Sequence, residues 1–225
     1  MSLTMQHALI IGASGGIGAA VARALDERGV VVDRLSRSVD GFDVTDEASV
    51  RAGLGARSGP YDLIFIATGG LQVEDAPPER TVKAVSAQAM LDQMALNAVG
   101  PALVLAHGTR LLPRKGRAVV AALSARVGSI GDNRLGGWIS YRAAKAALNQ
   151  VLHTTSIELA RTHPQTICVA LHPGTVKTPL TEAYLSRHPA VTPEVAAHNL
   201  LQVMEGLTPS DSGGFFDWSG APVPW

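Results

Sequence analysis

Short runs of consecutive apolar residues alternate with longer amphipathic segments along the chain. The apolar runs have strand length, and they predict strands at 7–12, 30–37, 61–68, 116–124 and 165–174. The longer segments predict helices at 16–29, 46–54, 86–112, 139–162 and 193–206, and a terminal segment, 213–220, closes the pattern. Continuously apolar strands separated by helices are typical of a parallel sheet that helices cover on both faces. We therefore predict one doubly wound α/β domain over residues 1–225.

Composition and charge place this domain among soluble globular proteins. Of the 225 residues, 46% are hydrophobic and 17% are charged, and the formal net charge is zero. A chain without a basic surplus is not expected to bind nucleic acid or an anionic membrane. The apolar runs are too short to cross a bilayer and the N-terminus carries no signal peptide, so we expect a cytoplasmic protein. Residues 1–4 precede a second methionine, Met5, and are left out of the predicted fold.

Cysteine and histidine usage predicts no metal centre. Cys168 is the single cysteine, which leaves no disulfide and no cysteine-based metal site within the chain. It lies in an apolar run, where we expect a buried and inert thiol. The seven histidines are scattered without a pair at ligand spacing, so we expect no bound metal.

A glycine-rich turn follows the first predicted strand and opens the first helix. In "IIGASGGIGAAVA", Gly12, Gly16 and Gly18 approximate the fingerprint of a dinucleotide-binding turn of Rossmann type. Gly12 allows the tight turn, Gly16 lets the backbone approach a pyrophosphate, and Gly18 lets the helix pack on the strand. The helix N-terminus adds N–H groups and a positive dipole end, and the turn also includes Ser14 and Ile17 as cofactor-binding candidates.

The end of the second strand selects the nicotinamide cofactor. Asp33 lies at the distance where an acidic residue binds the ribose of NAD, but it falls inside the strand "VVVDRLSR". Ser36 and Arg37 stand at the strand end, and a guanidinium there suits the 2′-phosphate of NADP. We expect NADP(H) in preference to NAD(H). Asp43, followed by Val44, ends the next strand-like piece and can accept from the adenine amino group.

Tyr141 and Lys145 lie four residues apart in "YRAAK" and project from one helix face. A free phenol has a pKa of about 10, too high for proton transfer at neutral pH. A nearby ammonium favours the phenolate and lowers that pKa. The phenol is then able to protonate a carbonyl oxygen during hydride delivery, or to deprotonate an alcohol in the reverse direction.

These motifs together resemble the short-chain dehydrogenase/reductase family, specifically its C-factor-like or sniffer-like carbonyl reductase branch. The resemblance spans the chain and rests on "GASGGIG", "DVTD", "NAVGP", "SARVGSI", "YRAAK", "HPGTVKT" and "FFDWSGAPVPW". It implies a catalytic tetrad of Asn, Ser, Tyr and Lys, in which Tyr141 is the acid/base, Lys145 tunes it and binds the nicotinamide ribose, and Asn97 holds a water in the proton relay.

The resemblance also assigns further cofactor contacts. Pro173, Gly174 and Val176 match the loop that cradles nicotinamide, and Thr178 matches the hydroxyl that contacts its carboxamide or the phosphates. Of the family's Asn-Asn-Ala-Gly after the strand at 61–68, only Gly69 is kept. We expect cofactor contacts there to be made by the backbone.

The catalytic serine is where the chain departs most from the family. The second serine of Ser-Ser-x-x-Gly is replaced by Ala125, and the gap from Ala125 to Tyr141 is longer than usual, so the loop carries an insertion. Ser124, Ser129 or no serine at all remain as alternatives. A second departure is Ile11, in place of a threonine that props the glycine-rich turn.

The sequence thus predicts an NAD(P)-dependent oxidoreductase that transfers a hydride between nicotinamide and a small carbonyl or alcohol substrate. The alternative is an NADP-binding regulatory or signalling protein with little or no catalysis. We expect a homodimer or homotetramer through the helices at 86–112 and 139–162, as the resemblance implies. The segment 179–192, with Tyr184, is expected to cover the substrate, whose identity the sequence leaves open.

Overall fold

Six parallel strands form a single sheet in a computed structural model that describes residues 5–73, 77–178 and 190–225. The strand order across the sheet is β2-β1-β3-β4-β5-β6. The strands are β1 His7–Ile11, β2 Val31–Leu35, β3 Leu63–Ile66, β4 Ala118–Leu123, β5 Thr166–His172 and β6 Phe215–Asp217. This parallel sheet with helices on both faces confirms the predicted fold class. Most of the expected covering segment 179–192, including Tyr184, lies outside the described residues.

The helices follow the strands in alternation. They are α1 Gly16–Asp26, α2 Arg37–Asp40, α3 Glu47–Gly55, α4 Ala87–Met94, α5 Gly100–Gly108, α6 Ile139–Thr162 and α7 Pro193–Gly206. Asp46 caps α3 by accepting a hydrogen bond from the Ala48 N–H at 2.9 Å, and Thr192 caps α7 in the same way. α6 and α7 have the bounds that the sequence pattern predicts.

Two hydrophobic clusters, one on each face of the sheet, form the core. Alternate strand residues point to opposite faces, so that Leu9 and Ile11 join one cluster while Ile10 joins the other. The first cluster packs against α3, α5 and α6, and the second packs against α1 and α7. Burial on both faces explains why the central strands read as continuous apolar runs.

The predicted helix at 86–112 is interrupted in the structure. α4 and α5 are joined by a π-helical turn at Ala95–Val99, and a 3₁₀ turn at Thr109–Leu111 follows α5. π turns of this kind often occur at functional sites. Although the segment Ala87–Leu111 has the length and the mean hydropathy, 1.3, of a membrane span, it packs here as a core helix through Val104 and Leu105.

The strand-like piece expected at Asp43 is not a strand. Residues 41–46 form no ladder, since α2 ends at Asp40 and Gly41 turns the chain with a φ of 67°. Asp43 instead accepts hydrogen bonds from the Thr45 N–H at 2.9 Å and the Thr45 hydroxyl at 2.7 Å. This local turn competes with extended pairing, as Asp side chains commonly do.

Candidate active site

The carboxyl ends of the strands meet along one edge of the sheet, and the predicted site residues lie in the segments that follow them. The chain runs outward from β1 to β2 in one direction and from β3 to β6 in the other. The crevice between β1 and β3, where the direction changes, is the usual ligand site of such sheets. Gly12 follows β1 and Gly69 follows β3 on either side of this crevice.

The glycine-rich turn is shaped by contacts that no side chain could share. Gly12 has a φ of 83°, and a Cβ there would lie 2.9 Å from the carbonyl carbon of Ala67. A Cβ on Gly18 would collide with the Gly12 carbonyl oxygen. The turn is fastened to β2 by the Gly12 N–H, which donates to the Leu35 carbonyl at 2.8 Å. Gly12 and Gly18 therefore hold the start of α1 tightly against the sheet.

The N-terminus of α1 is open to an anionic ligand. Its N-cap, Gly15, supplies no side-chain acceptor, and the first turn contains no acidic residue. Gly16 faces Thr178, whose Cγ2 would lie 2.8 Å from a Cβ at this glycine. Ser14 is exposed in the turn and Ile17 is partly buried. Uncapped N–H groups at the positive end of a helix suit the phosphates of a dinucleotide.

The loop after β3 also fits a nucleotide cofactor. The Thr68 hydroxyl is buried and has no hydrogen-bond partner among the described residues. Gly69, with a φ of 137°, has no room for a side chain, because a Cβ would lie 2.7 Å from Asn97 Oδ1 and 3.0 Å from Lys145 Nζ. An unpartnered buried hydroxyl beside a glycine cradle is consistent with contacts to a bound polar group.

The loop after β5 completes the edge. Gly174 turns with a φ of 77° and packs against the Trp218 indole, whose Cδ1 would lie 3.0 Å from a Cβ at this glycine. Val176 is buried and pairs with Val191 in a single β-bridge, and Pro173 precedes both. The Lys177 N–H donates to the Val191 carbonyl at 2.8 Å. These contacts hold Thr178 opposite the glycine-rich turn.

Asp33 does not lie at the cofactor edge. It accepts a hydrogen bond from the Tyr61 hydroxyl, and its carboxylate lies 3.2 Å from His7 Nε2 and 3.7 Å from Arg57 Nη1. His7 begins β1 and Tyr61 precedes β3, so this cluster belongs to the amino-terminal side of the sheet. Burial, followed by the hydrogen bond to Asp33, raises the pKa of Tyr61. The carboxylate of Asp33 thus has a structural role.

Ser36 and Arg37 stand at the carboxyl end of β2. Ser36 is buried, and its N–H and hydroxyl both donate to the Asp40 carboxylate at 2.9 and 3.1 Å. Arg37 is exposed at the start of α2. Asp43 lies close enough to feel the Arg37 charge, but its pKa is lowered first by the Thr45 hydrogen bonds. Val44 is buried against Gly100 of α5.

Tyr141 and Lys145 occupy the first two turns of α6 beside this edge. Lys145 is 3% exposed, and its Nζ donates to the Leu123 carbonyl at the end of β4 at 2.9 Å. The same Nζ lies 5.8 Å from the centroid of the Tyr141 ring. Among the described residues the Tyr141 hydroxyl has no hydrogen-bond partner. A cavity of about 10 Å³, roughly enough for one water, lies beside the ring.

Burial dominates the protonation of this pair. It lowers the pKa of Lys145 to about 7 and raises the pKa of Tyr141 above its usual value. The pKa of the Tyr141 phenol is therefore raised in this structure, contrary to the expectation that Lys145 lowers it. At 5.8 Å the attraction between the two groups is weaker than the loss of solvation that both suffer.

Asn97 lies in the π-helical turn and is fully buried. Its Oδ1 accepts from the Gly70 N–H at 3.0 Å, and its Nδ2 donates to the Gly70 carbonyl at 2.9 Å and to Gln93 Oε1 at 2.7 Å. Gln93 in turn donates to the Leu71 carbonyl at 2.8 Å. The side chain of Asn97 thus fixes the loop after β3 next to Lys145.

Among the described residues, neither candidate serine hydroxyl forms a hydrogen bond with Tyr141. The Ser124 hydroxyl donates to Asn149 Oδ1 at 2.6 Å, and Asn149 lies eight residues, or about 12 Å along the helix axis, beyond Tyr141. The Ser129 hydroxyl accepts from the Asp132 N–H at 3.0 Å. Both hydroxyls are buried in these contacts.

The loop before Tyr141, in which the sequence predicts an insertion, has an unusual backbone. Gly136, Gly137 and Trp138 all have left-handed backbones, with φ values of 64°, 69° and 53°. Arg142 donates to three carbonyl oxygens of the loop, those of Gly137 at 2.9 Å, Gly136 at 3.1 Å and Val127 at 3.1 Å. The residue that follows Tyr141 therefore anchors the segment that precedes it.

Sequence reasoning missed four residues that the structure places at the site. Gln93, Arg142 and Asn149 make the contacts described above, and Glu79 contacts the first turn of α6. Their contacts join loops to helices through backbone carbonyls, hydroxyls and side-chain amides, which no spacing rule detects. The unusual "GGW" before α6 was the one available signal of a special loop conformation. Among the described residues no group of three or more His, Cys, Asp or Glu side chains could hold a metal ion.

Comparison with known proteins gives a consistent result. The family model described as short chain dehydrogenase matches residues 40–188. The chain is 32% identical to 1-hydroxy-2-glutathionyl-2-methyl-3-butene dehydrogenase of a Rhodococcus species, over 98% of this chain and 100% of that protein. It is 36% identical to the C-signal protein of Myxococcus xanthus, over 58% of this chain and 75% of that one.

Solved structures share the fold. The NADPH-bound carbonyl reductase from chicken fatty liver superposes with a TM-score of 0.81 at 24% identity, covering 99% of this chain and 100% of that one. The carbonyl reductase Sniffer of D. melanogaster has a TM-score of 0.79 at 22% identity, with coverages of 98% and 100%. A putative short-chain dehydrogenase/reductase from Burkholderia multivorans with bound NADP has a TM-score of 0.77 at 24% identity, with the same coverages.

Replacement of Gly69 tests the cradle next to Asn97 and Lys145. We expect Gly69→Ala to weaken binding of a dinucleotide at least tenfold and to destabilise the fold, because the added Cβ meets Asn97 Oδ1 at 2.7 Å and the φ of 137° is strained for alanine. Isothermal titration and thermal unfolding measure both effects. Gly55→Ala is the matched control, since a Cβ there has nothing within 4 Å. Equal behaviour of the two variants would contradict the proposed cradle.

Burial of Lys145 predicts a pH-dependent stability. Between its folded pKa of about 7 and its ordinary value of 10.5, the unfolded chain binds more protons at this residue than the folded protein does. The contribution of Lys145 to the free energy of unfolding therefore rises with pH across this window, and its cost is fully present below pH 7.

We expect Lys145→Met to raise the free energy of unfolding at pH 7 by on the order of 1–3 kcal/mol and to flatten its rise towards pH 10. Urea unfolding at several pH values measures this. The exposed Lys83→Met is the control. A Lys145→Met profile parallel to that of the wild type would show that Lys145 is protonated to the same extent in both states.

Proposed function

Because this chain is a member of the short-chain dehydrogenase family, we propose that it is an NADP(H)-dependent oxidoreductase that acts on a small carbonyl or alcohol substrate. The observation that supports this best is the convergence of Tyr141, Lys145, Asn97 and Gly69 at the carboxyl edge of the sheet, next to an uncapped helix N-terminus. The start of α1 is suited to bind phosphates, and the Tyr141–Lys145 pair is suited to proton transfer.

The choice of NADP(H) rests on Arg37 and on the engagement of Asp33 elsewhere. Two of the superposed reductases carry NADPH or NADP. In this chain both Ser36 donors bind Asp40, whereas Arg37 is exposed at the end of β2 and available to a 2′-phosphate. Titration of the protein with NADPH and NADH measures the preference, and tighter binding of NADH would contradict it.

Each group at the site has a defined part in the proposed reaction. Nicotinamide, when bound, supplies or accepts the hydride. Tyr141 is protonated at neutral pH and holds the proton that the carbonyl oxygen would receive. Burial raises the pKa of Tyr141 and opposes release of this proton, whereas the positive charge of Lys145 favours it. Lys145 holds its ammonium beside the Leu123 carbonyl and next to Gly69, where it would bind the ribose hydroxyls of a bound cofactor. Asn97 fixes that loop.

We propose that no serine hydroxyl assists Tyr141 in this chain. Ala125 occupies the family's serine position, and both Ser124 and Ser129 are bound to other groups. A missing donor to a developing oxyanion costs about 3–4 kcal/mol where such losses are known. The reaction is then slowed but not abolished.

The second candidate is an NADP-binding regulatory or signalling protein. Ala125 favours it, as does the similarity to a relative that is named C-signal. The retention of Tyr141, Lys145 and Asn97 in one cluster favours catalysis. Tight NADPH binding without oxidation of NADPH by any of a broad set of aldehydes, ketones and diketones would decide for the regulatory protein.

Replacement of Tyr141 tests the enzymatic function. We expect Tyr141→Phe to lower kcat by about 10²–10⁴-fold, because the proton donor is lost while the ring is kept. The absorbance of NADPH with the same panel of carbonyl compounds measures turnover. The Kd for NADPH should stay within about threefold, since the phosphates bind at the glycine-rich turn. Unchanged turnover of every accepted substrate would remove Tyr141 from the mechanism.

Restoring the serine tests the replacement of the family's serine by Ala125. We expect Ala125→Ser to raise kcat by on the order of tenfold or more, because it restores a hydroxyl donor at the family's serine position. The backbone at Ala125 is extended and accepts serine without strain. Ser124→Ala should leave kcat within about threefold, since Ser124 binds Asn149. A large loss in Ser124→Ala, with no gain in Ala125→Ser, would make Ser124 the catalytic serine.

A further inference from the structure

The helix that carries Tyr141 begins without a cap of its own. Its N-cap residue, Trp138, has a left-handed backbone with a φ of 53° and a ψ of 43°, and its side chain makes no capping hydrogen bond. The first turn of α6 contains no acidic residue. The first N–H groups of a helix need acceptors, and a helix start without them frays. Tyr141 lies in this first turn.

Glu79 supplies the missing acceptors from a distant part of the chain. Its carboxylate accepts from the Ser140 hydroxyl and from the Ser140 N–H, the latter at 3.3 Å. Its own carbonyl oxygen accepts from the Trp138 N–H at 2.6 Å. Glu79 is 7% exposed and Ser140 is 1% exposed. Glu79 thus accepts hydrogen bonds from the N–H groups of Trp138 and Ser140, on both sides of Ile139.

The buried charge of Glu79 is compensated by the helix. No cationic side chain pairs with this carboxylate in the described part of the chain. The carboxylate is stabilised by hydrogen bonds from the N–H and the hydroxyl of Ser140 and by the positive dipole end of the 24-residue helix α6. Gln could make the same two contacts, because its amide presents one acceptor and one donor while the Ser140 hydroxyl can rotate.

Glu79 also belongs to the loop that walls the space beside Tyr141. The small cavity next to the ring is lined by Leu71, Val73, Pro77 and Pro78 of this loop and by Gln93. The loop is tied near its start, where Gly70 binds Asn97 and the Leu71 carbonyl accepts from Gln93. Glu79 ties its far end to the first turn of α6.

We propose that Glu79 is a positioning residue, which holds Tyr141 and the apolar loop residues beside its ring in register by capping α6 from the loop after β3. The effect on turnover rests on the proposed function, whereas the capping itself does not. The prediction has two separate readouts for this reason.

The first readout is hydrogen–deuterium exchange and is independent of catalysis. We expect Glu79→Ala to speed exchange at least tenfold in residues 138–142 and to leave residues 148–156 of the same helix unchanged. Glu79→Gln should keep the exchange of 138–142 within about threefold of the wild type. Unchanged protection of 138–142 in Glu79→Ala would overturn the proposal.

The second readout is kcat per NADPH-binding site, with sites counted by titration so that misfolded protein does not contribute. We expect Glu79→Ala to lower kcat at least tenfold with the Kd for NADPH within twofold, and Glu79→Gln to restore kcat to within threefold. Glu158→Ala, at an exposed position of the same helix, is the matched control and should match the wild type. Full kcat per site in Glu79→Ala would overturn the positioning role. An equal loss of kcat in Glu79→Gln and Glu79→Ala would also overturn it, because it would mean that the charge of Glu79 itself acts.

Ser140→Ala covers the case in which Glu79→Ala does not fold. This change removes one of the two side-chain contacts, and we expect a threefold to tenfold loss of kcat per site with faster exchange confined to 138–142. Ser140→Ala with wild-type exchange and kcat would overturn the proposal. A wild-type protein that binds NADPH but turns over no substrate would contradict the proposed function, and the exchange data would then decide the role of Glu79 alone.

Discussion

The hydrogen bond from Lys145 to the Leu123 carbonyl is the contact on which the arrangement of the site depends. It joins α6, the helix that carries Tyr141, to the end of β4 and brings a buried ammonium to the carboxyl edge of the sheet. Glycines stand on either side of this lysine, since side chains at Gly69 and Gly128 would approach Nζ and Cβ of Lys145 to 3.0 and 2.8 Å. The Lys145 side chain is desolvated at this point, and its pKa is lowered, which is common for lysines at functional sites.

A chain of buried polar groups extends from this lysine through the segments around it. Asn97 and Gln93 bind the backbone of the loop after β3, and Glu79 returns that loop to α6. Loops usually vary in conformation more than the elements they connect. Here the loop binds Gln93 and Asn97 near its start and the first turn of α6 at Glu79, so that these helices and the loop are placed together.

The sequence predicts the parts of this structure that depend on local pattern. Tyr141 and Lys145 share a helix face because of their spacing, and the glycine-rich turn has its backbone conformation because no other residue fits at Gly12. The contacts of Glu79 could not be predicted, since they join it to Trp138 and Ser140, about 60 positions away, through backbone and hydroxyl groups. The strand expected at Asp43 does not form, because the Asp43 side chain makes a local turn with Thr45 instead of allowing extended strand pairing. The positions of Ser124 and Ser129 depend on packing against α6 and on a loop turn that the motif alone does not reveal.

The anchoring of the inserted loop by Arg142 has a consequence for how this protein can diversify. All three acceptors are main-chain carbonyls, so the guanidinium recognises the path of the loop and not its side chains. Leu135, at the tip of the loop, is 91% exposed and takes no part in the anchor. Mutations at such positions can accumulate without loosening the segment next to Tyr141, which gives natural selection or a protein engineer a surface that tolerates change beside a fixed backbone.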